Sequence, residues 1–172
     1  MQLLIPLASP IKESNTSGEP IELQEFNGKM TVEFAALPFC KSKKIKKVII
    51  VIHSETDKKT GLSKVLKNIF GKRLIIKTIY NYTLGATCTS LMALDYLDMN
   101  KEVIITSLDQ ILDIDVDSII DKFSSSTNEG GVINFNSRNP KWSYAIVEDG
   151  FVEQTAEKKP ISSQAIAGFY YF

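Results

Sequence analysis

Val48-Ile49-Ile50-Val51-Ile52 is an unbroken β-branched run, preceded by lysines and followed by His53 and Ser54. Five apolar residues without alternation predict a strand covered on both faces, the habit of a parallel sheet. Downstream, Leu62, Val65, Leu66 and Ile69 share one helical face, and Gly71 closes that helix. Leu74 to Ile79 is the next strand. Leu84 to Leu97 has helical periodicity through Leu91, Leu94 and Leu97, with small residues at its start, and Val103-Ile104-Ile105 is a further short strand. Upstream, Leu3-Leu4-Ile5-Pro6-Leu7 is a buried strand, and Ser9 to Pro20 is a loop of turn formers. Asn27-Gly28 marks a tight turn. Thr31 to Leu37 reads as a short helix capped by Thr31.

Strand and helix alternating at this spacing give βαβ units. After residue 110 the texture changes. Asp115 to Phe123 is helical, while Gly130 to Phe135, Tyr144 to Glu148, Phe151 to Thr155 and Ala165 to Phe172 read as strands with short turns. The expected class is α/β: a Rossmann-like, GT-A-like, mostly parallel sheet flanked by helices, with a mixed β extension in the C-terminal half. A length of 172 residues suits one domain, 1–172, with a core large enough to need no staples.

Composition narrows the partners. Lys+Arg and Asp+Glu are 20 each, so no global field favours nucleic acid or an anionic membrane, and any phosphate site has to be local. No apolar run approaches the roughly 20 residues that span a bilayer, and the start lacks the pattern of a secretory signal. Cys40 and Cys88 have no metal-ligand spacing; they read as reduced, buried thiols of a cytoplasmic protein. The five lysines between Lys41 and Lys47 read as a solvated loop before a strand.

Ligands of such sheets bind beyond the carboxyl ends of the strands. That makes the segments after Leu7, Ile79 and Ile105 the candidate site. Leu7, Ala8 and Ser9 lead into the first loop. Gly85-Ala86 opens a helix where a planar base can approach the backbone. Asp109 follows the Val103 strand closely enough to hold a divalent cation at the rim, or else to cap a turn. Asp113, Asp115 and Asp117 read as solvated loop positions. Glu157-Lys158 pairs an acceptor with a cation, as a sugar phosphate requires or as any charged turn shows. His53 is the one histidine and ends a strand; with no triad acid near it in sequence, and no cysteine motif, no serine or cysteine nucleophile system is indicated.

Six segments in order resemble the sugar-phosphate nucleotidyltransferases, in particular small bacterial ones found with capsule and lipopolysaccharide genes. They are Thr83-Leu84-Gly85-Ala86, Ile105-Thr106-Ser107-Leu108-Asp109-Gln110, Gly130-Gly131-Val132-Ile133, Asn139-Pro140-Lys141-Trp142-Ser143-Tyr144-Ala145, Ala156-Glu157-Lys158-Lys159-Pro160 and Gly168-Phe169-Tyr170-Tyr171-Phe172. The first half of the chain matches more loosely, through Leu3 to Ala8 and through Asn27-Gly28-Lys29. The resemblance implies transfer of a nucleotidyl group from an NTP to a sugar phosphate or similar acceptor, with release of pyrophosphate, for polysaccharide precursor synthesis. It implies a nucleotide-binding half, 1–110, and an acceptor-binding half, 111–172. It implies Gly85 and Ala86 against the base, Mg²⁺ on Asp109, Glu157 and Lys158 on the acceptor, and Tyr144 and Ala145 lining its pocket. It implies neither nucleic acid nor membrane as partner.

Against the family pattern, several positions differ. The G-x-G-x-R loop reads Ser9-Pro10-Ile11-Lys12-Glu13, with Glu13 in place of arginine and Lys12 as the substitute cation if the loop turns it inward. The family's Pro-Lys pair reads Pro20-Ile21. A glutamate in place of a cation beside a triphosphate swaps attraction for repulsion, roughly 4 kcal/mol per pair at about 4 Å and an effective dielectric near 20. Relatives carry a second metal-binding aspartate beyond the strand matching Gly168 to Phe172; the sequence here ends at Phe172, and no replacement acid is evident. The reading therefore has an alternative: a catalytically degenerate nucleotide- or sugar-binding module of the same fold. A glycosyltransferase of related design is weaker, since Ile111 stands where a paired aspartate belongs. The aromatic final strand is expected to need covering by a partner chain, which makes a homo-oligomer an expectation.

Overall fold

The structure is a computed structural model that describes residues 1–10 and 21–172. In chain order it has β1 (Gln2–Leu7), a 3₁₀ turn Ile21–Leu23, the short strands β2 (Glu25–Phe26) and β3 (Lys29–Met30), α1 (Thr31–Lys41), β4 (Lys47–His53), α2 (Ser54–Thr60) and α3 (Leu62–Phe70). Then come β5 (Leu74–Ile79), α4 (Ala86–Leu91), a 3₁₀ turn Leu94–Tyr96, β6 (Val103–Thr106) and α5 (Val116–Ser124). The strands β7 (Gly131–Asn136), β8 (Tyr144–Glu148), β9 (Phe151–Ala156) and β10 (Gln164–Tyr171) complete it.

The sheet order is β5-β4-β1-β6-β10-β8-β9, with β7 on the remaining edge of β10. β5, β4, β1 and β6 are mutually parallel; β10 is antiparallel to β6 and begins the antiparallel extension. Val48 through Ile52 are all at 0% exposure, so both faces of β4 are covered and the run needs no alternation. On one face Leu3, Ile5, Val48, Ile50 and Ile52 meet Val32, Ala35, Ala36 and Phe39 of α1, Leu62 and Leu66 of α3, and Val116 and Ile120 of α5. On the other, Leu4, Ile49, Val51 and Ile79 meet Ala93 beyond α4. Burying each such Ile, Leu or Val contributes about 1.5–3 kcal/mol, which makes this two-sided sheet the thermodynamic centre of the fold. Among the described residues no helix is long and apolar enough to cross a membrane.

Several local expectations are corrected. α1 runs through Pro38 to Lys41 rather than stopping at Leu37, because Phe39 is fully buried and stacks on Phe169 at 6.2 Å. That burial outweighs the hydrogen bond the proline forgoes. Met30, not Thr31, is the cap: its N–H donates to Glu33 Oε2 at 2.9 Å, while the Thr31 hydroxyl donates to Gln24 O at 3.0 Å. The expected helix over Leu84–Leu97 is broken into α4 and the Leu94–Tyr96 turn. Leu84, Leu91 and Leu94 face solvent, Leu84 at 99%, and Leu97 alone packs against the core, so the periodicity encodes no continuous buried face. Thr89 and Ser90 also return their hydroxyls to Gly85 O and Ala86 O, a bond that bends helices.

The polar helix α2 gives no periodic signal. It is held at one end by His53, whose Nδ1 accepts the Glu55 N–H, and at the other by Gly61 in the left-handed region at φ 66°. The aspartates 115 and 117 are not idle loop positions. Asp115 caps α5, and Asp117 accepts from the Ser42 hydroxyl and from the backbone N–H groups of Lys43 and Lys44. Cys88 is exposed on α4 rather than buried, and Cys40 is half-buried. The aromatic final strand is not an edge: β10 lies between β7 on one side and β6 with β8 on the other, leaving Phe169 and Tyr171 buried. Its coverage comes from within the chain.

Candidate functional site

The chain leaves β1, moves outward to β4 and β5, then crosses back to place β6 on the other side of β1. The strand order reverses between β1 and β6, and in open α/β sheets ligands bind beyond the carboxyl ends of the strands at such a reversal. The loops after β1, β5 and β6 all leave that end of the parallel strands. Leu7 is half-buried, Ala8 is buried beside Leu4 and Ile79, and Ser9 is exposed. Lys12 and Glu13 lie outside the described residues.

The β5–α4 loop is shaped by Gly85, at φ 124° and ψ −179°. That region is essentially closed to residues with a side chain. An added Cβ there would meet nothing within 4 Å, so the glycine answers to the backbone and leaves open space above it. Thr83 and Thr89 hydroxyls sit 2.5 Å apart and both donors converge on Gly85 O, at 3.2 and 3.1 Å. Ala86 starts α4 directly above this knot.

Asp109 stands exposed beyond β6. The next residue, Gln110, fastens this loop to β10 by donating from Nε2 to Ala167 O at 2.6 Å, and Thr106 Oγ1 donates to Gly168 O at 3.0 Å. Gly168 has φ 63°, and an added Cβ would lie 2.3 Å from Gln110 Nε2. The glycine thus allows Gln110 to reach the kink in β10. Sequence reasoning missed Gln110's role, because nothing local marks a side chain that bridges to a strand 57 residues on.

A second acid, also missed, lies near Asp109. Burial raises the Glu22 carboxyl above its ordinary range and the negative charge of Asp109 adds to this, against a backbone hydrogen bond that lowers it. Two oxygen-ligand groups near one rim fit Mg²⁺, which takes one or two carboxylates and completes its shell with water and phosphate oxygens. Among the described residues no cluster of three or more His, Cys, Asp or Glu could hold a metal.

The acceptor segments come together on the extension. Tyr144 pairs with Ala156 across β8 and β9, immediately before Glu157 and Lys158. Both charged residues are exposed, 3.4 Å apart, with Lys158 at φ 51°. The return segment crosses β8, where Ser162 Oγ donates to Ala145 O at 2.6 Å. Tyr144 itself is fully buried and its hydroxyl donates to Asn139 O at 2.7 Å; Ala145 is fully buried too. Their side chains support the extension from within. Tyr170 links the two halves: it pairs with Ile105 of β6, and burial, followed by the charge of Glu157, raises its phenol.

No protein-family model and no curated protein sequence matches the chain. Solved structures do. A nucleoside-diphosphate-sugar pyrophosphorylase from Vibrio cholerae aligns over 99% of this chain and 72% of its own, with 20% identity and a TM-score of 0.74. A protein assigned as a glucose-1-phosphate thymidylyltransferase from Bacillus anthracis aligns over 99% and 70%, at 17% identity and TM-score 0.79. The inositol-1-phosphate CTP transferase of T. maritima gives 99% and 69%, 16% and 0.74. The fold is that of the sugar nucleotidyltransferases. Within it, β1, β4, β5 and β6 form the parallel half, and β7 to β10 the extension.

Proposed function

We propose that this nucleotidyltransferase-like chain binds an NTP across the rim of β1, β5 and β6. Leu7, Ala8 and Ser9 would take one side of the nucleotide, and Gly85 and Ala86 the base. The phosphorylated sugar acceptor would lie toward Glu157 and Lys158, over the extension that Tyr144 and Ala145 build. The observation that supports this reading is the strand reversal between β1 and β6, the neighbouring strands that Ala8 and Asp109 follow. Asp109, with Glu22 as neighbour, would hold Mg²⁺; a bound Mg²⁺ screens phosphate charge and polarises the α-phosphorus. In the transfer, the acceptor phosphate oxygen forms a bond to the α-phosphorus in line, and the bond to the pyrophosphate oxygen breaks. Lys158 would pair with the acceptor phosphate and Glu157 would accept from sugar hydroxyls. Lys12, outside the described residues, would serve as the substitute cation for the leaving pyrophosphate if its loop turned it inward. The context this suggests is precursor synthesis for capsule or lipopolysaccharide in the cytoplasm.

One observation favours a second reading, a nucleotide- or sugar-binding module without turnover. The Glu22 carboxyl beside Asp109 adds negative charge where a transferase needs cations, and loss of one transition-state contact of that sort commonly costs on the order of a hundredfold in rate. The experiment is a thermal-shift panel of all NTPs with and without Mg²⁺, followed by a pyrophosphate-release assay with sugar 1-phosphates. A Mg²⁺-dependent rise in Tm with some NTP supports the shared site, and Asp109→Asn should remove the Mg²⁺ dependence. Pyrophosphate release that Asp109→Asn abolishes supports the transferase; stabilisation without release supports the module. No stabilisation by any NTP overturns both.

A further inference from the structure

His53 is 2% exposed, and its two ring nitrogens have different fates. Nδ1 accepts the Glu55 N–H at 3.3 Å, so it carries the lone pair and the proton of the neutral ring is on Nε2. Nε2 is buried and has no hydrogen-bond partner among the described residues. A buried donor without an acceptor costs about 1–3 kcal/mol, and such groups are rare enough in folded proteins to require a reason.

Its position supplies one. The last paired residues of β1 and β4 are Leu7 and Ile52, so Ala8 and His53 are the next positions at the rim. On its other side His53 pairs with Ile79, the residue that enters the β5–α4 loop. The imidazole therefore lies between the two segments assigned to the nucleotide. The Tyr82 ring of that loop stacks on it at 3.9 Å between centroids and 9° between planes. Among the described residues this stack is the one aromatic tie of the Tyr82 side chain, and a stack of this kind contributes about 0.5–1.5 kcal/mol, so the ring can swing aside cheaply while Thr83 and Thr89 keep the rest of the loop in place. The same loop carries Tyr80 at 75% and Leu84 at 99% exposure, apolar groups left uncovered among the described residues.

We propose that His53 is a base-contacting residue, whose Nε2–H donates to an acceptor on the base of the bound nucleotide when the Tyr82 ring swings aside to admit it. A neutral donor flanked by an aromatic ring suits a carbonyl oxygen or ring nitrogen of a base, whereas a phosphate calls for a cation. The inference rests on the nucleotide site proposed above and adds a specificity-determining contact to it.

The chain has one histidine, so a long-range ¹H–¹⁵N spectrum of the labelled protein contains one imidazole. In the free protein it should show the Nε2-protonated tautomer. Saturation with the NTP that raises Tm most should shift the Nε2–H resonance downfield. The matching nucleoside should do the same, and inorganic tripolyphosphate should leave the signal in place. His53→Phe keeps a ring for Tyr82 and removes the donor, and should weaken nucleotide binding about tenfold. Binding that saturates while the resonance stays still overturns this inference and leaves the nucleotide site standing. So does His53→Phe binding as tightly as the unaltered chain, which would make the ring a packing element alone, or a shift produced by tripolyphosphate and not by nucleoside. Absence of binding by the unaltered chain overturns both.

Discussion

Gly85 and Gly168 sit at positive φ near the rim, for different reasons. At Gly168 the constraint is both the backbone and the close approach of Gln110, while at Gly85 the surrounding space is open and the constraint is the backbone alone. Gly85→Ala should therefore lower stability by about 1–3 kcal/mol through strain, with no clash to relieve. Chemical denaturation would show this as a lower midpoint with an unchanged slope. If the loop instead relaxed to an ordinary conformation, stability would be kept and the Thr83–Thr89 knot on Gly85 O would be lost. The sequence marks Gly85 and Asp109 by their place after strands, and both lie at the rim as expected. Glu22 was not legible, since its proximity to Asp109 depends on how the chain returns after a long connection. Tyr144, which the family resemblance puts in the wall of the acceptor pocket, is fully buried and its hydroxyl is spent on Asn139 O.

Among elements, the most legible were β1 and β4, whose unbroken apolar runs report two-sided burial, and α3, whose spacing reports one buried face. Least legible were α2, with no apolar face, and the stretch after Gly85, where leucine spacing imitates a helix that solvent-facing side chains do not support. The tie between α5 and the loop after α1 was also hidden, since Asp117 is 75 residues from Ser42. The Ser42 hydroxyl holds the Asp117 carboxyl below the usual aspartate range, helped by the N–H groups of Lys43 and Lys44. Stability from this contact is present above the ordinary aspartate range and is lost as pH falls through the depressed folded value. Because the carboxylate is near solvent, the tie contributes modestly, on the order of 1 kcal/mol. Asp117→Ala should lower the Tm at neutral pH and narrow its difference from the unaltered chain in acid. A constant difference down to pH 3 would mean the hydrogen bonds carry no charge dependence.

At the scale of the whole molecule, Glu22 works in the opposite sense. Its folded carboxyl keeps a proton to higher pH than the unfolded chain does, so its contribution favours the fold below the ordinary glutamate range and is lost as pH rises through the raised value. Glu22→Gln should therefore raise the Tm at neutral pH by a few degrees and leave it nearly unchanged in acid; Mg²⁺ should shrink the gain by stabilising the unaltered pair. A pH-independent gain would place the effect in packing rather than charge. The α/β class followed from the run Val48–Ile52 and its neighbours, whereas the order of strands, and with it the reversal between β1 and β6, is a property of the assembled sheet.

The unequal settings of the two thiols have a practical corollary. Cys40 lies half-buried with its Sγ directed at Ile69 O, and burial pushes its thiol up, while Cys88 lies open to solvent three residues past Gly85. A maleimide dye at neutral pH should attach at Cys88 and spare Cys40. The unaltered chain thus carries its own single anchoring point for a fluorophore, within one helical turn of Gly85, where emission can report occupancy of the proposed site without engineering.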